Sequence, residues 1–344
     1  MLNNLIKLAE DAYLPDFLVR IGIRRLCKVR LDWRDQSGPE AVEIEHQEWV
    51  EKLRKSPIAL VPEKANEQHY EVPAEFFELV LGENLKYSSG YWPDSRTSFN
   101  DSEKIMLEKT CERADLIDGQ KILELGCGWG SLTCYMAKKY PNSKIVAVSN
   151  STDQRIMINK RCESENIQNI SVITADMNDF SIKEKFDRVV SVEMFEHMRN
   201  YELLLERISN WLSDSGKLFV HIFTHKELVY PFEDRGDGDW MAREFFSGGI
   251  MPSHKLLLHF SKHMKIESLW KVNGRHYSKT SLAWLKMMDK NKSKILNIFR
   301  NTYGKGQESK WFQRWRIFFM SCEVLFGYEN GTQWGVSHYR FNKQ

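Results

Sequence analysis

Lys121-Ile122-Leu123-Glu124-Leu125-Gly126-Cys127-Gly128-Trp129-Gly130 passes from a short apolar run into three glycines, one at every second position. A short apolar run bounded by a turn signal reads as a buried strand. Glycine has no Cβ, so such a turn lets the backbone approach a ligand closely. The downstream segments give the turn its meaning. A helical segment near 130–140 leads to a strand at Lys144–Val148, a helix near 153–165, a strand at Ser171–Thr174 and another at Phe186–Val192. The amphipathic segment Tyr201–Leu212 and a strand at Lys217–Phe223 continue the alternation. Strands alternating with helices predict an α/β fold with a doubly wound, mostly parallel, Rossmann-like sheet. Open sheets of this kind bind ligands beyond the carboxyl ends of their strands, where this glycine turn falls.

Outward from that core the texture changes. Residues 1–85 are expected to form a helical extension, 86–226 the cofactor-binding core, 227–320 a helical substrate cap, and 321–344 a terminal strand that completes the sheet. In the extension, Leu2, Leu5, Ile6 and Ala9 suggest one helical stripe, and Phe17, Leu18, Ile21 and Ile23 another, with Pro15 between them. Arg20, Arg24, Arg25, Lys28 and Arg30 form a basic cluster, which reads as a solvated face or as a surface for an anionic membrane or a partner. Two late β-like stretches, Lys265–Val272 and Gln333–Phe341, are candidates for the sheet edge. The cap is rich in aromatics: Trp240, Phe245, Phe246, Trp270, Trp284, Trp311 and Trp315 are candidates for lining an acceptor pocket.

Composition narrows the classes. A net charge of +2 over 344 residues gives no general electrostatic case for nucleic acid. The six cysteines include no CxxC pair, so a zinc cluster is not expected and no metal is assigned. The first thirty residues lack an uninterrupted apolar h-region, and no apolar run approaches the roughly 18 residues of a membrane span. The expectation is a cytoplasmic enzyme with reduced thiols. Peripheral membrane contact and a homodimer stay open.

The cofactor side of the cleft departs from the dinucleotide pattern. An NAD site places an acid about 20 residues beyond the glycine turn to hold the ribose. Here the second strand ends in Val148-Ser149-Asn150-Ser151. Asn150 and Gln154 remain as hydrogen-bonding groups for a ribose. Glu124 offers a carboxylate to an amine, and Asp176 one to an adenine amino group; Asp176 reads equally as a turn or cap residue.

Longer motifs carry a resemblance. Tyr87-Ser88-Ser89-Gly90-Tyr91-Trp92, Leu125-Gly126-Cys127-Gly128-Trp129-Gly130 and Phe195-Glu196-His197-Met198 occur in the order found in the cyclopropane-fatty-acid synthase superfamily. Leu14-Pro15-Asp16-Phe17 with Ile23-Arg24-Arg25, and Phe326-Gly327-Tyr328-Glu329-Asn330-Gly331 with Trp334 and Ser337-His338, resemble specifically its coclaurine-type N-methyltransferases. The resemblance covers nearly the whole chain. It implies a class I methyltransferase fold and S-adenosylmethionine as cofactor. Tyr87 and Ser88 would contact the methionine portion, Gly126 and Gly128 would lie under methionine and ribose, Asn150 and Gln154 would serve the nucleoside, and Asp176 and Met177 would flank adenine.

Methyl transfer from a sulfonium is an in-line displacement, so the enzyme must orient a lone pair and remove its proton. Val192-Glu193-Met194-Phe195-Glu196-His197 places two carboxylates and an imidazole at a strand end that faces the cleft. The resemblance implies that Glu193, Glu196 and His197 bind a small amine and handle its proton. Plainer readings are that Glu193 only touches the cofactor and that Glu196 and His197 are a buried polar pair fixing a turn. The cyclopropane branch is the rival: its acceptor is a lipid alkene and a bound bicarbonate removes a proton. The ligands of that ion match Glu196, His221 and Tyr277, with Ser89 standing where that branch has a cysteine. Cys322 matches a cysteine characteristic of that branch and reads also as a small packing residue.

Overall fold

Ile122, Leu123 and Leu125 are wholly buried, as are Val189 and Val190 of a neighbouring run. Strands covered on both faces read as nearly continuous apolar stretches, and these pair in parallel. The computed structural model of the protein describes residues 2–60, 72–236 and 238–344. Its strands are β1 (Lys121–Leu125), β2 (Lys144–Ser149), β3 (Ile170–Thr174), β4 (Phe186–Val192), β5 (Leu212–His225), β6 (Tyr230–Pro231), β7 (Ile250–Met251), β8 (Met264–Val272) and β9 (Trp334–Lys343). The main sheet has the order β3-β2-β1-β4-β5-β9-β8, while β6 and β7 form a separate small ribbon. The first five strands of that order run parallel. β9 is antiparallel to both β5 and β8. The two late β-like stretches thus complete the sheet edge.

Chain order reverses between β1 and β4, which lie side by side. At such a switch point the loops leaving two neighbouring strands diverge and open a crevice. The loops here are the glycine turn after β1 and the Glu193 turn after β4. Two of the helices between the strands, Thr152–Ser164 and Tyr201–Trp211, start with side-chain caps that stop the backbone from fraying. Ser151 accepts from the Gln154 amide, and Asn200 from the Leu203 amide at 3.0 Å.

The extension forms helices Leu2–Glu10 and Asp16–Arg54, separated at Pro15; the longer one is broken at Gly38, whose φ is +79°. Its buried face differs from the expected stripe. Val19, Cys27 and Leu31 point inward, whereas Phe17, Leu18 and Ile21 are exposed. The reason is the ion pairs that set the helix's rotation. Arg316 binds Asp16 at 2.7 Å and Arg20 binds Glu323 at 2.8 Å, fastening the extension to the helix Glu308–Gly327. Arg24 and Arg30 of the basic cluster stay exposed, with their guanidinium groups over the rings of Tyr328 and Tyr230.

The stretch 227–320 is not wholly helical. β8 lies within it, and its first part holds β6, β7 and only short helical turns. Pro231, Pro252 and the glycines at 236, 238, 248 and 249 interrupt any longer helix there. Helices Arg275–Lys290 and Lys292–Tyr303 come next, and the helix Glu308–Gly327 runs straight through residue 320. Trp284 and Trp315 are fully buried in this region.

The junction between β8 and helix Arg275–Lys290 is tightly closed. A Cβ on Gly274 would fall 2.0 Å from the Trp334 carbonyl oxygen and 2.3 Å from that of Phe326. Backbone cannot yield as a flexible side chain can. Gly274→Ala is therefore expected to destabilise by about 3 kcal/mol, measured by urea unfolding; an unchanged midpoint would contradict the packing described.

Candidate active site

The glycine turn shapes the cleft floor. Gly126 and Gly128 both take positive φ, +77° and +52°. A Cβ on Gly126 would strike the Met194 side chain at 2.7 Å, whereas at Gly128 it would meet no protein atom within 4 Å. The turn is thus packed from one side and open at Gly128. The cleft above it, about 750 Å³, is lined by Gly126, Gly128, Asn150, Gln154, Asp176 and Met177 together with Glu193 and His197. Ser149 Oγ donates to Gln154 Oε1 at 2.6 Å and fixes the amide. Gln154 Nε2 is buried with no partner among the described residues. A buried unpaired donor on a cleft wall is costly unless a ligand satisfies it. Asp176 serves its turn as well, since its Oδ1 accepts from the Asn178 amide at 2.7 Å.

A second compartment continues from Gly126 and Gly128 and is lined by Lys86, Tyr87, Ser88, Glu124 and Trp129. Glu124 accepts from Thr133 Oγ1 at 2.6 Å. Burial lifts its carboxyl to about 8, against the hydrogen bond of Thr133 and the charge of Lys86. Lys86 touches Ser88 Oγ, and burial lowers its amine to about 8. The loop that carries these residues hangs from Glu103, which accepts from the amides of Gly82, Asn84 and Lys86 at 3.0, 2.9 and 3.3 Å.

The third compartment, about 710 Å³, is mainly apolar and aromatic. Tyr87, Phe223, Phe232, Phe246, Trp284, Phe318 and Phe326 form its walls, Cys322 lies on one side, and Glu193, Glu196 and His197 contribute its polar groups. Of the seven cap aromatics singled out in the sequence, Phe246 and Trp284 line it. Trp240, Phe245 and Trp315 are buried in packing, Trp311 stacks on Tyr303, and Trp270 lies under Arg113 at the sheet edge. Among the described residues, only Glu193 lines all three compartments.

Glu193 is held in a backbone conformation unusual for its type, with φ +49°. Its Oε1 accepts from the Ser89 amide at 3.0 Å and lies 3.2 Å from His221 Nε2. Its Oε2 accepts from the Tyr277 hydroxyl at 2.6 Å. Burial raises its carboxyl above the ordinary value, while Lys86, Tyr277 and Ser89 pull it back. Among the described residues Glu196 has no such support beyond its own backbone amide. Its Oε2 is buried there with no partner, and burial with the nearby Glu193 charge pushes its carboxyl well up. His197 is pushed down to about 4, chiefly by burial, and is neutral near pH 7. Burial raises the Cys322 thiol to about 12, so it is not a thiolate.

This geometry regroups the residues matched to the bicarbonate site. Ser89, His221 and Tyr277 do converge, but on the carboxylate of Glu193 rather than around Glu196. An internal carboxylate already uses their donors. Sequence reasoning missed Lys86, Glu103, Thr133 and His338 as parts of this site; the available signals were a lysine abutting Tyr87-Ser88 and a histidine on each of the expected strands Lys217–Phe223 and Gln333–Phe341.

A switch-point cleft floored by glycines, joined to an apolar chamber with carboxylates at its mouth, is the architecture of a Rossmann-like methyltransferase. The family described as mycolic acid cyclopropane synthetase matches residues 61–334. A curated relative, (S)-coclaurine N-methyltransferase of Thalictrum flavum subsp. glaucum, is 37% identical over 99% of this chain and 95% of its own length. The cyclopropane-fatty-acyl-phospholipid synthase of Escherichia coli is 30% identical over 63% of this chain and 54% of its own. The crystal structure of coclaurine N-methyltransferase bound to N-methylheliamine and SAH superposes with a TM-score of 0.95, at 37% identity and covering 99% of both chains. The chain belongs to the cyclopropane-synthase family of S-adenosylmethionine-dependent methyltransferases, in its coclaurine-type N-methyltransferase branch. The fit of that cofactor to these residues rests on the open face of Gly128, the unpaired Gln154 Nε2 and the buried Glu124.

Two outcomes test the cofactor side. Gly128→Val fills the open face and should abolish calorimetric S-adenosylmethionine binding, whereas the wild type should gain melting temperature with cofactor by mass action. Glu124→Gln tests the acid. A carboxyl raised in the folded state contributes stability at low pH that is lost as pH rises from about 4.5 through about 8. Relative to wild type, the cofactor-free Gln variant should therefore melt progressively higher between pH 5 and pH 8. A constant difference across that range would show that Glu124 does not titrate there.

Proposed function

We propose that this chain transfers a methyl group from S-adenosylmethionine to the nitrogen of a small amine carried on an apolar, aromatic body. The observation that carries this reading is the placement of Glu193, Glu196 and His197 at the mouth of an otherwise apolar, aromatic chamber. The names of the relatives, alkaloid N-methyltransferases at 35% and 37% identity, support it.

When bound, the cofactor supplies an electrophilic methyl group on a sulfonium. The chain's residues do the rest. Tyr87 and the Phe and Trp walls hold the apolar body and exclude water, which strengthens electrostatics at the mouth. The Glu193 carboxylate attracts the incoming ammonium. His197 is neutral and takes its proton, exposing the lone pair. Glu196, kept protonated in the empty site, is favoured to ionise beside a cation and so shares the amine with His197. Tyr87, Ser88, Glu124, Gly126 and Gly128 are assigned to the methionine and ribose portions, Asn150 and Gln154 to the ribose, and Asp176 and Met177 to adenine. Cys322 is assigned to packing of the chamber wall.

The location is proposed to be the cytoplasm. All six cysteines are free thiols, which supports a reducing compartment. Among the described residues, no helix is long and apolar enough to cross a membrane.

The test is a methyl-donor assay against a panel of cyclic and aralkyl amines and against unsaturated phospholipid vesicles, with products identified by mass spectrometry. Glu196→Ala and His197→Ala should each lower amine turnover by about 10²–10⁴ while leaving cofactor affinity within a few fold. Full amine turnover in both variants would remove their assigned roles. Methylation or cyclopropanation of the vesicles alone, dependent on added bicarbonate and lost in His221→Ala, would replace the amine reading by the lipid one.

A further inference from the structure

Glu193 is the end of a line of side chains that crosses the sheet. His221 Nε2 lies 3.2 Å from Glu193 Oε1, and His338 Nε2 lies 2.9 Å from His221 Nδ1. Arg113 Nη1 lies 2.8 Å from His338 Nδ1. The two imidazoles sit opposite each other in the β5–β9 pairing and are fully buried. Arg113 ends the helix Phe99–Arg113, half-buried, with its guanidinium 5.1 Å over Trp270.

The direction of donation is set from the far end. A guanidinium carries five N–H donors and no acceptor. His338 Nδ1 must therefore accept. Burial holds His338 neutral, so its one ring proton is on Nε2 and is donated to His221 Nδ1. Burial holds His221 neutral as well, which puts its proton on Nε2, facing Glu193 Oε1. The opposite polarity would turn the His221 Nε2 lone pair towards Glu193. Two acceptors would then meet unless the carboxyl were protonated, and Oε1 already accepts from the Ser89 amide.

We propose that Arg113 and His338 are positioning residues: they lock the tautomer of His221 and so hold Glu193 as an oriented carboxylate at the mouth of the acceptor chamber. The line orients and does not conduct, because Arg113 has no lone pair to take a proton. Other groups also bear on Glu193. Lys86 approaches from the loop before β1, Glu196 and His197 from its own turn, and Tyr277 and Cys322 from the cap helices. What Arg113 adds is the polarity of the one bond that reaches Glu193 from β5. The inference rests on the proposed amine methylation only for its kinetic readout.

The experiment uses the full-length, cofactor-free protein labelled with ¹⁵N-histidine, with ring tautomers read from long-range ¹H–¹⁵N correlation spectra at pH 7. His338→Gln assigns the His338 signals by their loss. In the wild type, His221 and His338 should both be neutral with the proton on Nε2. Arg113→Met should shift one or both towards the Nδ1–H form and lower kcat for the amine by about tenfold or more, as a wrong tautomer does, with KM for the cofactor unchanged. Arg113→Lys, which keeps a cationic donor, should restore the wild-type tautomers and most of the turnover. His338→Gln, able to accept from Arg113 and donate to His221, should retain activity that His338→Leu loses. An Nδ1–H tautomer in the wild type, or unchanged tautomers and kcat in Arg113→Met, would overturn the proposal. Because the spectra need no substrate, correct tautomers without turnover on any amine would sink the amine reading and leave this inference standing.

Discussion

The site is organised around one buried carboxylate. Glu193 receives donors from the Ser89 backbone, from Tyr277 on a cap helix and from His221 on β5, segments that lie 104, 84 and 28 residues from it in the chain. A carboxylate withdrawn from water is tolerated only if its oxygens are satisfied. That requirement ties the loop before β1, the central sheet and the cap to a common point. The left-handed backbone at Glu193 is the local strain accepted to aim the side chain there.

Around that point, polarity is sorted by neighbourhood. Glu193 and Glu196 are three residues apart in sequence and in one turn, yet among the described residues only the first is supplied with donors from distant segments. The second keeps an oxygen with no partner among the described residues, and its carboxyl is pushed well up because two close buried carboxylates do not both ionise readily. His197, beside them, is buried enough to stay neutral. In the proposed function this short segment offers a charge at Glu193, a proton held by Glu196 and a proton acceptor at His197. The aromatic chamber contributes almost no competing polarity, so the polar groups at its mouth stand out against it.

Much of the fold was legible because its determinants are local. The apolar runs, glycine turn and helix caps act within a few residues, and the strands at Lys121–Leu125 and Phe186–Val192 form with the predicted limits. The positions lining the cofactor cleft were legible for a similar reason: they come directly after strand ends, and strand ends in a doubly wound sheet face the crevice. The cap was less legible. β8 was legible as a β-like stretch, but the short ribbon of β6 and β7 and the brief helical turns before it were not, since no periodicity marks them. The extension's rotation was missed because Arg20 and Asp16 answer to Glu323 and Arg316, some 300 residues away.

By itself the sequence determined the order of strands and helices, the turn that opens beneath a ligand, and the presence of two acids and an imidazole at one strand end. It did not determine which acid is charged. That depends on which donors arrive at each oxygen, and donors are delivered by register. His221 meets His338 only because β5 and β9 pair in that alignment, since sliding one strand by a single residue would turn its side chain to the other face. The tertiary structure alone placed Arg113 at the end of that pair and Ser89 and Tyr277 on Glu193, because contacts between distant segments depend on how the elements pack and not on spacing along the chain.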